Sequence, residues 1–438
     1  MFTVAREEKS HKPKPRIVII GGGFGGLALA KKLSKAHVEI LMLDKYNYHT
    51  FQPLLYQVAI GSIEADSIGF PIRRIFTKQD NFSFNMAEVQ QIHPENNSLT
   101  TSIGTIKYDY LVVATGSDTN FFGNKEIEHF AMPMKNIPEA LNLRSFILQN
   151  LEKALVTADQ KEKFALMTFV VVGGGPTGVE LAGALAEMRH LILMKDYHGL
   201  SKYDMRVYLV EGKPKLLASM SEGASAKAKE FLTEGEVTIY NSAHVESYDG
   251  LYLKIDNGKI LKTRNVLWAA GVQGEMPKGI PADSLAKGNR IQVDDINRVK
   301  GFENIFAIGD VAGMVTDAYP NGLPGVAPVA IQQGGVLAQN LVHLIKGEST
   351  EPFKYVDKGS LATIGRNKAV ADLGKLHFQG FFAWLLWGLV HLMSLAGFAN
   401  KGIIFFSWAI NYFTKNSDNR LVVRYFDAEK RGAVAKAK

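Results

Sequence analysis

The 438-residue sequence contains no cysteine. That absence removes disulfide bonds, thiolate zinc sites, iron–sulfur ligation and any cysteine-based redox relay, and no other metal-ligand pattern stands out. Electron chemistry, if the chain performs it, belongs to a bound organic cofactor. Apolar runs of membrane-spanning length are also scarce. The stretch 381–397, FFAWLLWGLVHLMSLAG, would rise about 25 Å as a helix against a hydrocarbon core of ~30 Å, so it crosses a bilayer only with mismatch. The N-terminal MFTVAREEKSHKPKPR has mixed charge and no apolar run, which fits neither a secretory signal nor a transit peptide and places the active residues, by expectation, on the cytoplasmic side. Basic patches interleaved with stacking aromatics are missing as well, so nucleic acid is not an expected partner.

What is present begins with size. A chain of this length exceeds one compact core and predicts two or three domains, and 46% hydrophobic residues argue for a folded protein. The 41 glycines gather in short clusters, where backbone must approach something closely.

The first cluster lies in RIVIIGGGFGGLALAKKLSKAHVEILMLD, residues 16–44. Ile17–Ile20 reads as a buried strand, Gly21, Gly23 and Gly26 form G-x-G-x-x-G, residues 27–33 carry helical apolar spacing, and a second strand ends at Asp44. This is a complete βαβ dinucleotide fingerprint. Gly21 permits the tight turn, Gly23 lets a pyrophosphate near the backbone, and Gly26 allows helix and strand to pack closely. Asp44 stands at the offset from which a carboxylate accepts hydrogen bonds from an adenosine ribose.

The pattern returns in FVVVGGGPTGVELAGAL, residues 169–185, with Gly173, Gly175, Thr177 and Gly178, followed by a strand ending at Glu211. Glu211 lies 38 positions after Gly173 (211 − 173), beyond the usual ~20, and the surplus points to an insertion within MRHLILMKDYHGLSKYDM. A ribose-binding glutamate favours NADH over NADPH, a preference that Lys213 and Lys215 would soften.

Two dinucleotide pockets in one chain predict a flavin and a nicotinamide placed for hydride transfer. Three further segments, YDYLVVATGS (108–117), VLWAAGV (266–272) and NIFAIGDVAG (304–313), follow in the order found in the two-dinucleotide-binding flavoprotein reductases, which the chain resembles over roughly residues 16–375. The resemblance implies non-covalent FAD held by Gly21, Gly23, Gly26, Asp44, Ala114, Thr115, Gly116, Asp310 and Ala330. It implies NADH held by Gly173, Gly175, Thr177, Gly178, Glu180, Glu211 and Gly271. The implied organisation is an N-terminal extension (1–15), an FAD domain (16–116 and 291–375), an inserted NADH domain (117–290) and a C-terminal region (376–438).

Within that superfamily the sequence most resembles the type II NADH dehydrogenases, single-subunit NADH:quinone oxidoreductases. NYHTFQPLLYQVAIG (47–61) is similar to their segment after the first βαβ unit, and APVAIQQG (327–334) to their quinone motif A-Q-x-A-x-Q-x-G. Ala327, Ala330, Gln332 and Gly334 match, whereas Pro328 replaces the first glutamine and removes its polar contact. The resemblance implies quinone contacts at Ala330, Gln332 and Gln333. It places the acid of Glu180 between nicotinamide and flavin, and Lys368 near the flavin and quinone. On their own residues, Gln332 and Gln333 equally fit polar positions at a helix start, and Glu180 and Lys368 fit surface ion pairs.

Residues 381–397 show one weakly polar stripe, Gly388, His391 and Ser394, and 403–413 is amphipathic with Ser407, Asn411 and Lys415 aligned. Trp384, Trp387 and Trp408, with Lys401, Lys415 and Arg420 nearby, fit helices lying at headgroup depth. Residues 399–438 hold eight Lys/Arg against three Asp/Glu, which suits an anionic lipid surface, although residues 428–438 alone equally fit a solvated tail. The expectation is therefore an α/β chain of two Rossmann-like domains plus an amphipathic membrane-binding region, peripheral on the cytoplasmic face of a bacterial membrane. The expected activity is non-pumping NADH:quinone oxidoreduction, with a homodimer also open. The rival readings are a flavoprotein reductase of another acceptor and a slow membrane-attached NADH sensor. A sulfide:quinone or disulfide reductase would need the missing cysteines.

Overall fold

The structure, a computed structural model, describes residues 14–414, 420–422, 425 and 426. Most of the expected N-terminal extension, Lys415 and the segment 428–438 lie outside the described residues. Seven helices bear on function: α1 (Phe24–Lys32), α2 (Leu55–Ala59), α3 (Pro176–Met188), α4 (Glu222–Glu234), α5 (Ala327–Lys346), α6 (Phe381–Ser394) and α7 (Phe398–Thr414). Six strands join them: β1 (Arg16–Ile20), β2 (Glu39–Asp44), β3 (Thr168–Val172), β4 (Arg206–Glu211), β5 (Ser360–Gly365) and β6 (Lys368–Leu373).

The chain divides into two compact units. The first is formed by the chain up to His49, Pro71–Ser117 and Gln273–Tyr355, the second by Thr50–Phe70, Asp118–Val272 and the chain from Val356 onward. In the first, a five-stranded parallel sheet runs in the order Ile305–Ala307, Tyr110–Val113, β1, β2, Phe82–Met86. Ile17, Val18 and Ile19 are fully buried, and apolar clusters cover both faces of the sheet, as an all-parallel sheet requires. In the second unit the same layout returns as Met132–Pro133, Asn265–Trp268, β3, β4, Val237–Asn241. Each first strand lies between its βαβ partner and a later strand. The crevice beyond the strands' carboxyl ends opens at such a switch point.

The division of the polypeptide departs from the expected one in three places. Residues 273–290 join the first unit, whereas 50–70 and 356–375 join the second. Close packing explains the latter: a Cβ at Gly183 of α3 would lie 2.2 Å from the carbonyl oxygen of Ile364 in β5, so the two backbones touch. Hydrogen bonds from α7 fix the 50–70 segment, with Trp408 Nε1 donating to Gln57 Oε1 (2.8 Å), Asn411 Nδ2 to Ser62 O (2.8 Å) and Asn400 Nδ2 to Ser67 O (3.0 Å).

The insertion ahead of Glu211 takes a definite form. Helix α3 runs on into a π-helical turn, Arg189–Leu193, and a further turn at Met194–Asp196. The Arg189 guanidinium anchors it, donating to Gly235 O and pairing with Glu236 at 2.8 Å.

Among the described residues no helix is long and apolar enough to cross a membrane. Helices α6 and α7 turn many apolar side chains outward, including Phe382 (74% exposed) and Phe413 (82%) with Leu385, Leu389, Met393, Phe405, Phe406 and Ile410. Two tryptophans expected at headgroup depth point inward instead. Trp387 is 3% exposed and stacks on His391 at 4.4 Å, and Trp408 is tied to Gln57. In the expected polar stripe, the exposed Ser394 bonds back to its own helix, its Oγ donating to Val390 O at 2.7 Å.

Candidate active site: two matched turns and a buried acid

The first turn is shaped by contact. Gly21 has φ +107°, and a Cβ there would lie 2.3 Å from Ala114 O; a Cβ on Gly26 would lie 2.1 Å from Gly21 O. Only glycine fits both the conformation and the approach. In the second unit Gly173 (φ +109°) meets Ala269 O at 2.4 Å and Gly178 meets Gly173 O at 1.8 Å in the same sense. The crossing strands that close the turns, Ala114–Thr115–Gly116 and Ala269–Ala270–Gly271, are thus counterparts. Thr115 Oγ1 donates to Glu275 O and Glu275 N–H to Gly116 O, bracing the first crossing.

The acids are held alike. Asp44 Oδ2 accepts the N–H of Gly22 (2.6 Å) and Oδ1 that of Tyr46 (2.7 Å). Glu211 Oε2 accepts the N–H of Gly174 and Oε1 that of Lys213 (2.7 Å). Each carboxylate is oriented by its own turn and keeps further lone pairs for a ribose diol. Burial pushes the Asp44 carboxyl up, while the two N–H groups pull it down. Lys215, expected to soften the NADH preference, pairs with Glu222.

The helices entering from these turns lack side-chain caps. Gly23 and Gly175 are the N-caps of α1 and α3, neither helix has an acid in its first turn, and space is open where a Cβ of either glycine would project. By contrast Asn124, Asn136, Asp159 and Ser221 cap their helices through side chains. Uncapped N–H groups with room in front fit the pyrophosphates of FAD and NADH. Thr177 is exposed in the first turn of α3.

Asp310 sits on a tight turn, Gly309–Val311, after Ile305–Ala307. Ser117 Oγ donates to its Oδ2 at 2.6 Å. Gln333 of α5 is 1% exposed and its Oε1 accepts the Gly309 N–H at 2.7 Å. That bond commits the Gln333 amide oxygen to positioning the Asp310 turn, so the quinone contact expected of it is not available through that atom. Ala330 is buried, its methyl 3.2 Å from where a Gly309 Cβ would lie, and Gln332 is half-buried two positions further along α5. Pro328 stands in the first turn of α5, where its missing N–H costs nothing.

Glu180 is buried on α3, and desolvation raises its carboxyl from about 4.5 to about 8, against the pull of the Thr363 N–H and the Trp387 indole. The indole acts from nearby without forming a hydrogen bond of normal geometry. Two turns along, Glu187 is pushed up by burial and held by the Arg366 N–H and the charges of Arg366 and Lys368. Lys368 itself pairs with Glu234 of α4 at 2.8 Å and lies over the Phe231 ring. The ion-pair reading of Lys368 is the one its geometry expresses.

Sequence reasoning missed Tyr56 and Gln57. Both sit in the apolar run LLYQVA, and a buried phenol beside a half-buried amide there signals an internal partner. Gln57 Nε2 donates to Tyr56 Oη at 2.9 Å.

The sequence pattern of the pyridine nucleotide-disulphide oxidoreductases matches residues 15–334, and that of the NDH2 C-terminal domain matches residues 358–415. With no cysteine, the chain keeps that architecture without disulfide chemistry. It is 36% identical to the type II NADH:quinone oxidoreductase NdhA of Mycobacterium tuberculosis over 96% of this chain and 94% of the relative. To Ndh of the same organism it is 35% identical over 93% and 91%. The solved structure of NDH2 from Plasmodium falciparum in complex with NADH superposes with TM-score 0.85 at 21% identity, covering 94% of this chain and all of that one. With the paired turns, the terminal domain and relatives matched along nearly their whole length, the chain belongs to the type II NADH:quinone oxidoreductase family.

Proposed function

We propose that this chain is a non-pumping NADH:quinone oxidoreductase whose first unit holds FAD non-covalently and whose second holds NADH. The repeated turn carries the reading: two acids, Asp44 and Glu211, are each clamped by the middle glycine of a G-G-G turn, one turn for each adenine dinucleotide. When bound, the flavin supplies the centre that accepts hydride and passes two electrons on. The residues of the chain bind, orient and manage protons. Asp44 and Glu211 accept from the ribose diols, and the N-termini of α1 and α3 face the pyrophosphates. Glu180, neutral at neutral pH because burial raises it, keeps a proton in a low-dielectric interior where the reduction of a quinone consumes protons. Ala330 and Gln332 are the proposed quinone neighbours. Gln333 acts through the Asp310 turn, and Lys368 acts through Glu234 and Glu187.

The outward apolar faces of α6 and α7 support peripheral attachment to the cytoplasmic face of a bacterial membrane. A second copy of the chain is the alternative cover for that surface. Vesicle flotation and light scattering separate the two.

Anaerobic flavin absorbance of the purified protein tests the activity. NADH is expected to bleach the flavin and a short-chain quinone to restore it. Bleaching without recovery would move the acceptor elsewhere, and no bleaching would leave a nucleotide sensor.

A further inference from the structure

Gly22, the middle glycine of the first turn, is held on both of its sides. Its N–H donates to Asp44 Oδ2 at 2.6 Å, and its carbonyl oxygen lies 3.1 Å from His49 Nδ1. A carbonyl oxygen only accepts, so the proton of this bond sits on Nδ1 and the partner sets the tautomer. His49 is buried, and the Phe24 ring packs perpendicular to it at 4.9 Å. Burial pushes the imidazole down to about 4, so the ring is neutral and brings no charge to the turn. What the bond fixes is a peptide plane. The Gly22 carbonyl and the Gly23 N–H belong to one trans peptide and point in opposite directions. Fastening the carbonyl to a buried ring therefore aims the N–H. That N–H has no partner among the described residues, Gly23 is the N-cap of α1, and space is open where its Cβ would project.

The second turn gives an independent comparison. There the Gly174 carbonyl accepts the backbone N–H of Leu217 at 2.8 Å. Gly175 caps α3 in nearly the conformation in which Gly23 caps α1, with φ −73° and ψ −177° against −75° and −168°. Its N–H is likewise without a partner among the described residues. The braces stand at matching places in the chain, His49 five positions after Asp44 (49 − 44) and Leu217 six after Glu211 (217 − 211). Two turns of one conformation thus secure the same carbonyl by different means, a side chain in the first unit and the main chain in the second. Substitution can remove the first brace but leaves the second in place.

We infer that His49 is a positioning residue for the flavin cofactor: its Nδ1–H holds the Gly22 carbonyl so that the Gly23 N–H faces the pyrophosphate. The inference rests on the proposed placement of FAD at the first turn. Because the ring is neutral and bonded to the main chain, it contributes direction rather than charge. A donor of any chemistry at the place of Nδ1 serves the same purpose, and a ring without one does not.

The test uses full-length, flavin-carrying protein with substitutions at this one position. His49→Leu and His49→Asn introduce side chains of the same shape, but only His49→Asn keeps an N–H donor at about the place of Nδ1. His49→Phe keeps a ring against Phe24 without a donor. Flavin release on dilution, followed by the fluorescence of free flavin, is expected to be about tenfold faster in His49→Leu and His49→Phe, the size of one lost hydrogen bond. His49→Asn should release flavin near the wild-type rate. Phosphorus NMR of the bound flavin supplies a readout that lost packing alone would not move in this pattern: the pyrophosphate resonances shift in His49→Leu and His49→Phe and return in His49→Asn. Release from both donorless variants at the wild-type rate overturns the inference, as does release from His49→Asn as fast as from His49→Leu. If His49→Leu and His49→Phe accumulate without flavin or not at all, His49→Asn decides, supporting the brace if it retains flavin like wild type and overturning it otherwise. Wild-type protein purified without flavin strikes the proposed function and this inference together, whereas flavin-containing wild type with indifferent variants strikes this inference alone.

Discussion

Arg366 grips Tyr412 twice: its Nη1 donates to the Tyr412 carbonyl at 3.0 Å and its guanidinium lies over the Tyr412 ring at 4.9 Å. Nη2 donates to the Asn411 carbonyl at 2.7 Å, so one side chain bonds two carbonyls in the last described turn of α7. Arg366→Ala is expected to cost about 1.5–3 kcal/mol, the worth of hydrogen bonds to a charged group, and to release α7. Thermal unfolding and vesicle flotation check both effects. Arg366→Lys, which keeps a charge beside Glu187 but loses the fork, should fall between.

Gly174→Ala places a Cβ 2.9 Å from the Glu211 carboxylate and 2.7 Å from Leu216. The acid must shift, and the KM for NADH is expected to rise about tenfold or more, each tenfold being about 1.4 kcal/mol, with flavin content unchanged. Steady-state kinetics and flavin absorbance distinguish this from misfolding.

Gly26→Ala strikes backbone instead of a side chain, with its Cβ 2.1 Å from Gly21 O. A carbonyl in a buried turn cannot yield as a side-chain tip does. The expected product is protein that lacks flavin or fails to accumulate, measured by absorbance ratio after purification.

Glu211→Gln removes the charge that repels a 2′-phosphate while leaving acceptor capacity for the ribose. The ratio of kcat/KM for NADH over NADPH is expected to fall. It should fall further when Glu222→Gln also frees Lys215 from its ion pair.

Glu180 has a folded-state carboxyl raised from about 4.5 to about 8, so the folded state binds its proton more tightly than the unfolded chain does. Its destabilising effect is absent below about 4.5, grows as pH rises from there to about 8, and is constant above. Glu180→Gln should therefore melt close to wild type at pH 5 and higher than wild type at pH 9. Because a tenfold change in proton affinity is worth about 1.4 kcal/mol, the alkaline difference reaches at most ~5 kcal/mol. Equal melting differences at both pH values would contradict the buried, protonated acid.

Both βαβ units were legible because their signal is local: glycines at fixed offsets, a strand before and an acid after. Even the long gap to Glu211 was legible as an insertion, though its π-helical form was not. What escaped was non-local. Gln57 and Trp408 are 351 positions apart, and Lys368 meets Glu234 on a distant element. The tryptophans of α6 and α7 carry the composition of an interfacial belt, but composition does not say which way an indole turns. Gln333 next to Gln332 illustrates the same point: neighbours on a helix face different surroundings, one fastening the Gly309 turn. The assignment of 50–70 and 356–375 to the second unit likewise depended on contacts between distant parts of the chain.

The matched turns carry a thermodynamic corollary. Each presents the same equipment, a clamped acid and an uncapped helix start, and ADP contains every group that equipment recognises. Under the proposed function, these shared features give neither turn a basis for telling FAD from NADH, and sorting would fall to groups beyond them. If the proposed assignment holds, free ADP would compete at both turns, and the tightness with which the flavin is retained would decide which of them an adenine nucleotide inhibits.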